Sequence, residues 1–453
     1  MLSAANHSIV IRNRDLAGLA TLLDANRTAE QLMQCGLPLD GPLHIDYLRY
    51  KPGRRCISLV TTSIAGTEQR FVLTALPEST FVKQQARAAA AESETMHWQA
   101  KSWQDSVQRI RIDQFPFDLG LRHIEKCFDS GERRRLLRRV LGKDTNHADL
   151  HLETLAYKPS RRYVAAGMIA NDCAAQTSDS MLPSTVKPII TFKFYSRSQF
   201  SQTWQRLQSV QDVFNAAPRT VASHERYKVI AMEWIQGNLL ADLIASGQDA
   251  DTLFFDVGSA LARLHRCDSV RGAPAAAAGH ALDDIASYIG FICPHLAELA
   301  NRTINDTVCR LVELRKPRAL IHGDFYAKQV LIDRDATHDA VRFIDFDQAG
   351  LGNPYQDVGN FVAKLYWQQL VLGQNISAVE EMAEPFLTGY RSGVGEFDEQ
   401  AYRAQLSAGL IRCATHPFRR AMFDWPAIMC QLLMLARHVL QATSSHPEPV
   451  SLT

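Results

Sequence analysis

The hexapeptide Tyr50-Lys51-Pro52-Gly53-Arg54-Arg55 returns 107 residues later as Tyr157-Lys158-Pro159-Ser160-Arg161-Arg162, with five of six residues identical. Each copy is followed by a short apolar run, residues 57–61 in the first and 163–169 in the second. A returning run then follows, residues 70–76 and 188–195. Such runs, punctuated by Gly, Asn, Asp and Ser, predict antiparallel hairpins. Solenoids and propellers repeat at roughly 20–50 residues, so the longer offset points to two related β-rich halves.

Residues 80–108 read as helical, and residues 131–141 as a basic helix. After the second copy, residues 198–214 read as a helix and 227–235 as a strand. From there the chain turns helical. Leu253, Val257, Leu261 and Leu264 share one helical face, and so do Val358, Phe361, Val362 and Leu365. The order is β-rich, helical, β-rich, then mostly helical, which predicts an α+β fold.

Composition removes several function classes. At about 150 residues per domain, the 453 residues make two to three domains, each able to bury a core. The balance of 49 Lys+Arg against 48 Asp+Glu argues against a nucleic-acid partner. The arginines at 133, 134, 135, 138 and 139 read as a solvated helix face, since no aromatics interleave with them. The densest apolar stretch, residues 429–440, is broken by Gln431, Arg437 and His438, so no membrane span is expected. The first residues lack a basic region followed by an apolar one, and no secretory signal is read there. The nine cysteines are scattered without a C-x-x-C pair. That spacing fits neither a disulfide framework nor a cysteine zinc site, and predicts reduced thiols in the cytoplasm.

The chemistry concentrates in Ala319-Leu320-Ile321-His322-Gly323-Asp324-Phe325-Tyr326-Ala327-Lys328-Gln329-Val330-Leu331-Ile332 and Val341-Arg342-Phe343-Ile344-Asp345-Phe346-Asp347. Apolar runs flank a polar turn, and a second apolar strand ends in two carboxylates. Gln329 lies five residues beyond Asp324, and Asp345 lies 21 beyond it. A carboxylate that orients a hydroxyl proton, an amide oxygen and a strand-end carboxylate make a kinase catalytic loop, with hard oxygen donors suited to magnesium.

His-Gly-Asp-x4-(Asn/Gln) followed by Ile-Asp-Phe-Asp resembles the aminoglycoside phosphotransferase and choline kinase family. The tail Gly350-Leu351-Gly352-Asn353-Pro354-Tyr355-Gln356-Asp357 continues the likeness. The resemblance implies a two-lobed protein-kinase-like α+β fold using ATP and Mg2+. Asp324 would be the catalytic base, Gln329 and Asp345 would hold the metal, and Asp347 would assist a second metal or orient the loop. Asp357 would support the catalytic loop from the following helix. Lys193, on the strand at residues 189–195, would hold the α- and β-phosphates. Glu233, Trp234 and Ile235 would lie at the hinge against adenine, and Arg161 and Arg162 would reach phosphate. Taken alone, that lysine reads equally as an outward-facing strand residue, and the arginines as solvated.

The implied domains are an N-terminal cap at residues 1–150, a nucleotide-binding lobe at 151–237 and a helical lobe at 238–453. In the first copy Thr74 stands where Lys193 does in the second, so the cap reads as a degenerate lobe. It resembles the cap of maltokinase-like and glucosamine-kinase-like relatives. The implied acceptor is a hydroxyl of a small polar metabolite, a sugar or amino sugar first. Alternatives are an aminoglycoside, a choline-type alcohol, or an inactive nucleotide-binding regulatory pseudokinase.

The chain departs from the family pattern in several places. There is no G-x-G-x-x-G, and the loop at residues 170–187 is long and polar. Gln329 replaces the commoner Asn, and Asn353 a frequent Asp. Residues 198–214 hold no Glu to pair with Lys193; Asp212 is the one carboxylate there.

Overall fold

The computed structural model describes residues 2–91, 102–142, 150–169, 188–246, 250–267, 274–276, 281–314, 318–333 and 340–442. The polar loop at residues 170–187 lies outside the described residues. The chain divides into two compact units. The first comprises Met1–Glu125, Ile285–Ala300 and Ala414–Gln431; the second comprises Lys126–Asp284, Asn301–Cys413 and Leu432–Thr453.

The first unit is built on an antiparallel sheet of β1 (His44–Lys51), β2 (Arg55–Ile64), β3 (Thr67–Ala75), β4 (Ser102–Asp105) and β5 (Ile110–Gln114), in the order β1-β2-β3-β5-β4. Ala65 and Gly66 both take positive φ between β2 and β3, the two-residue turn that matches strand twist. The helix expected over residues 80–108 does not include residues 102–108. A helix spans Glu78–Ala91, but Ser102–Asp105 forms an edge strand on β5. Its four residues alternate exposed and half-buried, a period of two too short to stand out beside the helical run before it.

The second unit repeats this sheet with β6 (His151–Lys158), β7 (Arg162–Met168), β8 (Pro188–Tyr195), β9 (Thr220–His224) and β10 (Val229–Glu233), in the order β6-β7-β8-β10-β9. The registers coincide as well. Lys51 pairs with Arg55 and Ile57 with Thr74 in the first sheet; Lys158 pairs with Arg162 and Val164 with Lys193 in the second. Arg109 and Lys228 both adopt positive φ, and their carbonyls accept from Leu76 and Tyr195 at 3.1 and 2.8 Å. Likeness that six residues suggested therefore extends over a whole sheet. Thr74 occupies the register position that Lys193 takes in the second sheet.

The basic helix forms at Ser130–Leu141, capped by the Asp129 carboxylate, which accepts from the Glu132 N–H at 2.8 Å. Leu136, Leu137 and Val140 are buried and the helix packs on β9 and β10, while Arg134, Arg135, Arg138 and Arg139 face solvent.

Beyond residue 238 the second unit is mostly helical. Its short strands are β11 (Asn238–Leu239), β12 (Ala319–Ile321), β13 (Val330–Ile332), β14 (Val341–Phe343) and β15 (Gly350–Gly352). The helices Ala250–His265 and Ala378–Val394 cross where Gly258 faces Phe386 and Gly389 faces Phe255. A Cβ on Gly389 would sit 2.0 Å from the Phe255 carbonyl oxygen, so the backbones meet where no side chain fits. Among the described residues no helix is long and apolar enough to cross a membrane. Gly389→Ala is expected to lose about 1–3 kcal/mol of stability through overpacking, measured by denaturant unfolding against the wild type.

Candidate active site

The His-Gly-Asp turn leaves β12 and is fixed by one carboxylate. Asp357, fully buried in the helix Tyr355–Val371, accepts from the His322 N–H at 2.6 Å and the Gly323 N–H at 2.9 Å. His265 Nε2 lies 3.2 Å from the same carboxylate, and its Nδ1 lies 2.9 Å from the Tyr390 hydroxyl. Gly323 takes φ +82°, and a Cβ there would stand 2.4 Å from the Gln348 carbonyl oxygen. Only glycine fits that approach. The role the resemblance implies for Asp357 thus has a geometric counterpart here.

His322 ties the loop to the metal-type segment. Its Nε2 lies 2.8 Å from the Ile344 carbonyl, which can only accept, so Nε2 carries the hydrogen. Nδ1 then accepts the Asp324 N–H at 3.4 Å. Asn360 Nδ2 donates to the Phe325 carbonyl at 2.8 Å. Beneath the loop, Phe325 packs on Phe343 and Phe361 at centroid distances of 4.7 and 5.6 Å. Asp324 therefore projects from a backbone held on both sides.

Asp345 follows β14 in a left-handed conformation, φ +68°, uncommon outside glycine, and there it meets the sheet of the second unit. Arg162 grips it bidentately, Nη1 to Oδ1 at 2.5 Å and Nη2 to Oδ2 at 3.0 Å, and also bonds Asp347. Lys193 Nζ reaches Asp345 Oδ1 at 2.7 Å and Asp347 Oδ1 at 3.1 Å. The Tyr195 hydroxyl donates to Asp347 Oδ1 at 2.9 Å, and Gln329 Nε2 lies 3.4 Å from Asp345 Oδ2. Lys193 thus has two carboxylate partners although its neighbouring helix, Arg197–Gln211, holds no Glu.

Five expected residues converge in this cluster: Arg162, Lys193, Gln329, Asp345 and Asp347. Arg161 does not join its ion pairs. Its N–H donates to the Lys158 carbonyl across the β6–β7 turn, and its carbonyl accepts from the Ser196 N–H after β8, each at 3.0 Å. The Glu233 carboxylate pairs with Arg342 of β14 at 3.1 Å. The Trp234 N–H bonds the Ile189 carbonyl at 3.3 Å, and Ile235 is buried. Lys328 is exposed. Tyr195 was not anticipated, though its place two residues after Lys193 on the same strand face was a legible signal.

Burial pushes the Asp345 carboxyl upward, but Arg162 and Lys193 outweigh it and hold the group well below the usual carboxylate range. Asp324 moves the other way. Burial raises it and the Asp345 charge adds to that, against partial relief from Lys364, His322 and Lys158. Two neighbouring acids thus differ in protonation tendency. Among the described residues no group of three or more His, Cys, Asp or Glu is arranged to hold a metal. Asp345, Asp347 and the Gln329 amide are hard oxygen donors and few, which fits Mg2+, an ion that keeps waters and substrate oxygens in its shell.

Residues 198–404 match the family described as the phosphotransferase enzyme family. No curated protein sequence matches the chain significantly. Among solved structures, the choline/ethanolamine kinase family protein from Mesorhizobium loti is similar over 69% of this chain and 95% of its own, at 12% identity and a TM-score of 0.45. Choline kinase from Cryptosporidium parvum Iowa II is similar over 69% and 95%, at 14% identity and a TM-score of 0.46. The GDP complex of wild-type aminoglycoside 2'-phosphotransferase-IIIa is similar over 63% and 92%, at 15% identity and a TM-score of 0.43.

The matched segment carries the His-Gly-Asp and Ile-Asp-Phe-Asp motifs and is similar to a phosphotransferase family.

A base must be ionised to act, so its rate contribution is lost as pH falls through its pKa. With Asp324 in the role of base that the resemblance implies, its raised carboxyl would put the acidic limb of the kcat–pH profile above the ordinary carboxylate range near 4. A limb at or below that range would contradict the assignment.

Proposed function

We propose that the second unit transfers the γ-phosphoryl group of ATP, with Mg2+, to a hydroxyl of a small polar metabolite. One observation carries this reading: Arg162, Lys193, Gln329, Asp345 and Asp347 meet within hydrogen-bonding distance beside an Asp324 held by a buried scaffold. In this reading Asp324 orients the acceptor hydroxyl and receives its proton. Lys193 and Arg162 exchange Asp345 for phosphate oxygens while their contacts with Asp347 remain. Asp345 and Gln329 would hold Mg2+, which would supply charge neutralisation for the phosphoryl group in transfer. Asp347, tethered by Tyr195, keeps Lys193 in place. The hinge at Glu233, Trp234 and Ile235 borders the adenine, and Arg161 stays at the lid turn. Catalysis is then positioning and charge neutralisation.

The same reading assigns residues 1–150 as the cap, 151–237 as the nucleotide lobe and 238–453 as the acceptor-bearing lobe. Among acceptors, a sugar is favoured over a polycationic aminoglycoside. Such a ligand needs available carboxylates, and Glu384 and Glu399 are engaged by Arg391 and Arg403 at 2.7 and 2.9 Å. The described cysteines are all free thiols, which fits a reducing cytoplasm.

Asp324→Asn is expected to lower turnover by orders of magnitude while leaving ATP affinity nearly unchanged. Transfer of labelled γ-phosphate and calorimetric ATP binding test both halves. Loss of ATP binding, or undiminished turnover, would remove Asp324 from the role of base.

A further inference from the structure

On one face of the second sheet stand Lys158, Arg162 and Lys193, and two of these cations have partners. Lys158 of β6 pairs in register with Arg162 of β7, and Arg162 with Tyr195 of β8. Residues directly opposite in an antiparallel ladder share a face, with Cβ atoms about 5 Å apart. Lys193, two residues before Tyr195, lies on that face too. Arg162 and Lys193 are bonded to Asp345 and Asp347. Among the described residues, none is hydrogen-bonded or ion-paired to the Lys158 ammonium.

The lysine does not sit at a free loop tip. Its carbonyl holds the Arg161 N–H, and the Arg161 carbonyl holds the Ser196 N–H, so the turn is tied on both sides. Pro159 is buried and favours extended backbone at the residue before it, and Ser160 takes φ +57°. Lys158 as a whole is exposed, which leaves it open to an incoming ligand. At its ammonium, desolvation and then the Arg162 charge push the group below the ordinary lysine range, while Asp345 and Asp324 pull it back. Burial raises the Asp324 carboxyl, and Lys158 is among the charges that offset this. The ammonium therefore acts on both acids of the site, Asp345 and Asp324.

From this placement we infer that Lys158 is a further catalytic residue, whose ammonium contacts the γ-phosphoryl group as it passes from ATP to the acceptor. The inference rests on the phosphotransferase reading and adds to it a residue at the transferred group. In that step the acceptor oxygen bonds to phosphorus as the bond to the β,γ-bridging oxygen breaks. ADP keeps the bonding pair, and Asp324 takes the hydroxyl proton. Negative charge spreads over the three equatorial oxygens, where a cation is most effective. Lys193 and Arg162 must release Asp345 to reach phosphate; Lys158 has no ion pair to break first.

The test is calorimetric binding to the full chain with Mg2+, comparing ADP with a non-hydrolysable ATP analogue that bears a γ-phosphate. Lys158→Met is expected to weaken the analogue about tenfold and ADP by less than about twofold, and Lys158→Arg to restore the analogue. Equal weakening of both nucleotides overturns the inference and moves the lysine to the α- and β-phosphates. Unchanged affinity for both overturns it and leaves Lys158 a solvated side chain. A loss that Lys158→Arg does not repair also overturns it, because charge is then not what the residue supplies. Failure of the wild type to bind either nucleotide is a separate result, which defeats the phosphotransferase reading itself.

Discussion

Two cations against two carboxylates hold the site of the second unit together. Arg162 and Lys193 come from β7 and β8, Asp345 and Asp347 from the turn after β14, and their side chains are only 9–19% exposed. Charges taken that far from water are tolerable only when matched, and removing one partner of a buried pair costs about 3–5 kcal/mol. Fixing the cluster therefore fixes the sheet against the catalytic loop. It also explains how Lys193 is oriented without a helix glutamate: Asp347, itself tethered by Tyr195, supplies the carboxylate from another part of the chain.

The two sheets show what such a cluster requires and what remains without it. Strand order, the β-turn at Gly53 or Ser160, and the left-handed Arg109 or Lys228 all correspond. At the decisive position the first sheet carries Thr74, and its register neighbour on β5 is Arg111. That arginine is buried against Asp113 at 2.8 Å and lies over the Phe117 ring at 5.5 Å. Where the second sheet carries Lys193, the first carries Thr74 beside an ion pair closed within one strand. The sheet keeps its topology because topology depends on pairing and burial, which this exchange leaves intact.

Much of the site was legible because its chemistry is local in sequence. His322, Asp324, Gln329, Asp345 and Asp347 fall within one hairpin-like stretch, and the turn conformations demand Gly323 there. Lys193 was legible from its apolar strand and its order before the hinge. Partners that are distant in sequence were not. His265 and Tyr390 support Asp357 across three helices, and no spacing rule links them. Arg161 and Arg162 look equivalent as neighbours, yet strand alternation sends only the second into the cluster. Glu233 lies where the hinge was expected, but its carboxylate is drawn to Arg342, a pairing that depends on how β14 packs. The strand at Ser102–Asp105 was hidden because four residues of mixed propensity form a strand only when β5 supplies the register.

The most direct test of the account is thermal unfolding of the wild type and Asp345→Ala, each with and without ATP and Mg2+. At a hundred times the dissociation constant, bound ligand adds about 2.7 kcal/mol of stability. The account predicts a magnesium-dependent rise in the melting temperature of the wild type that Asp345→Ala loses. An equal rise in both proteins, or none in the wild type, would contradict a nucleotide and metal site built on this carboxylate.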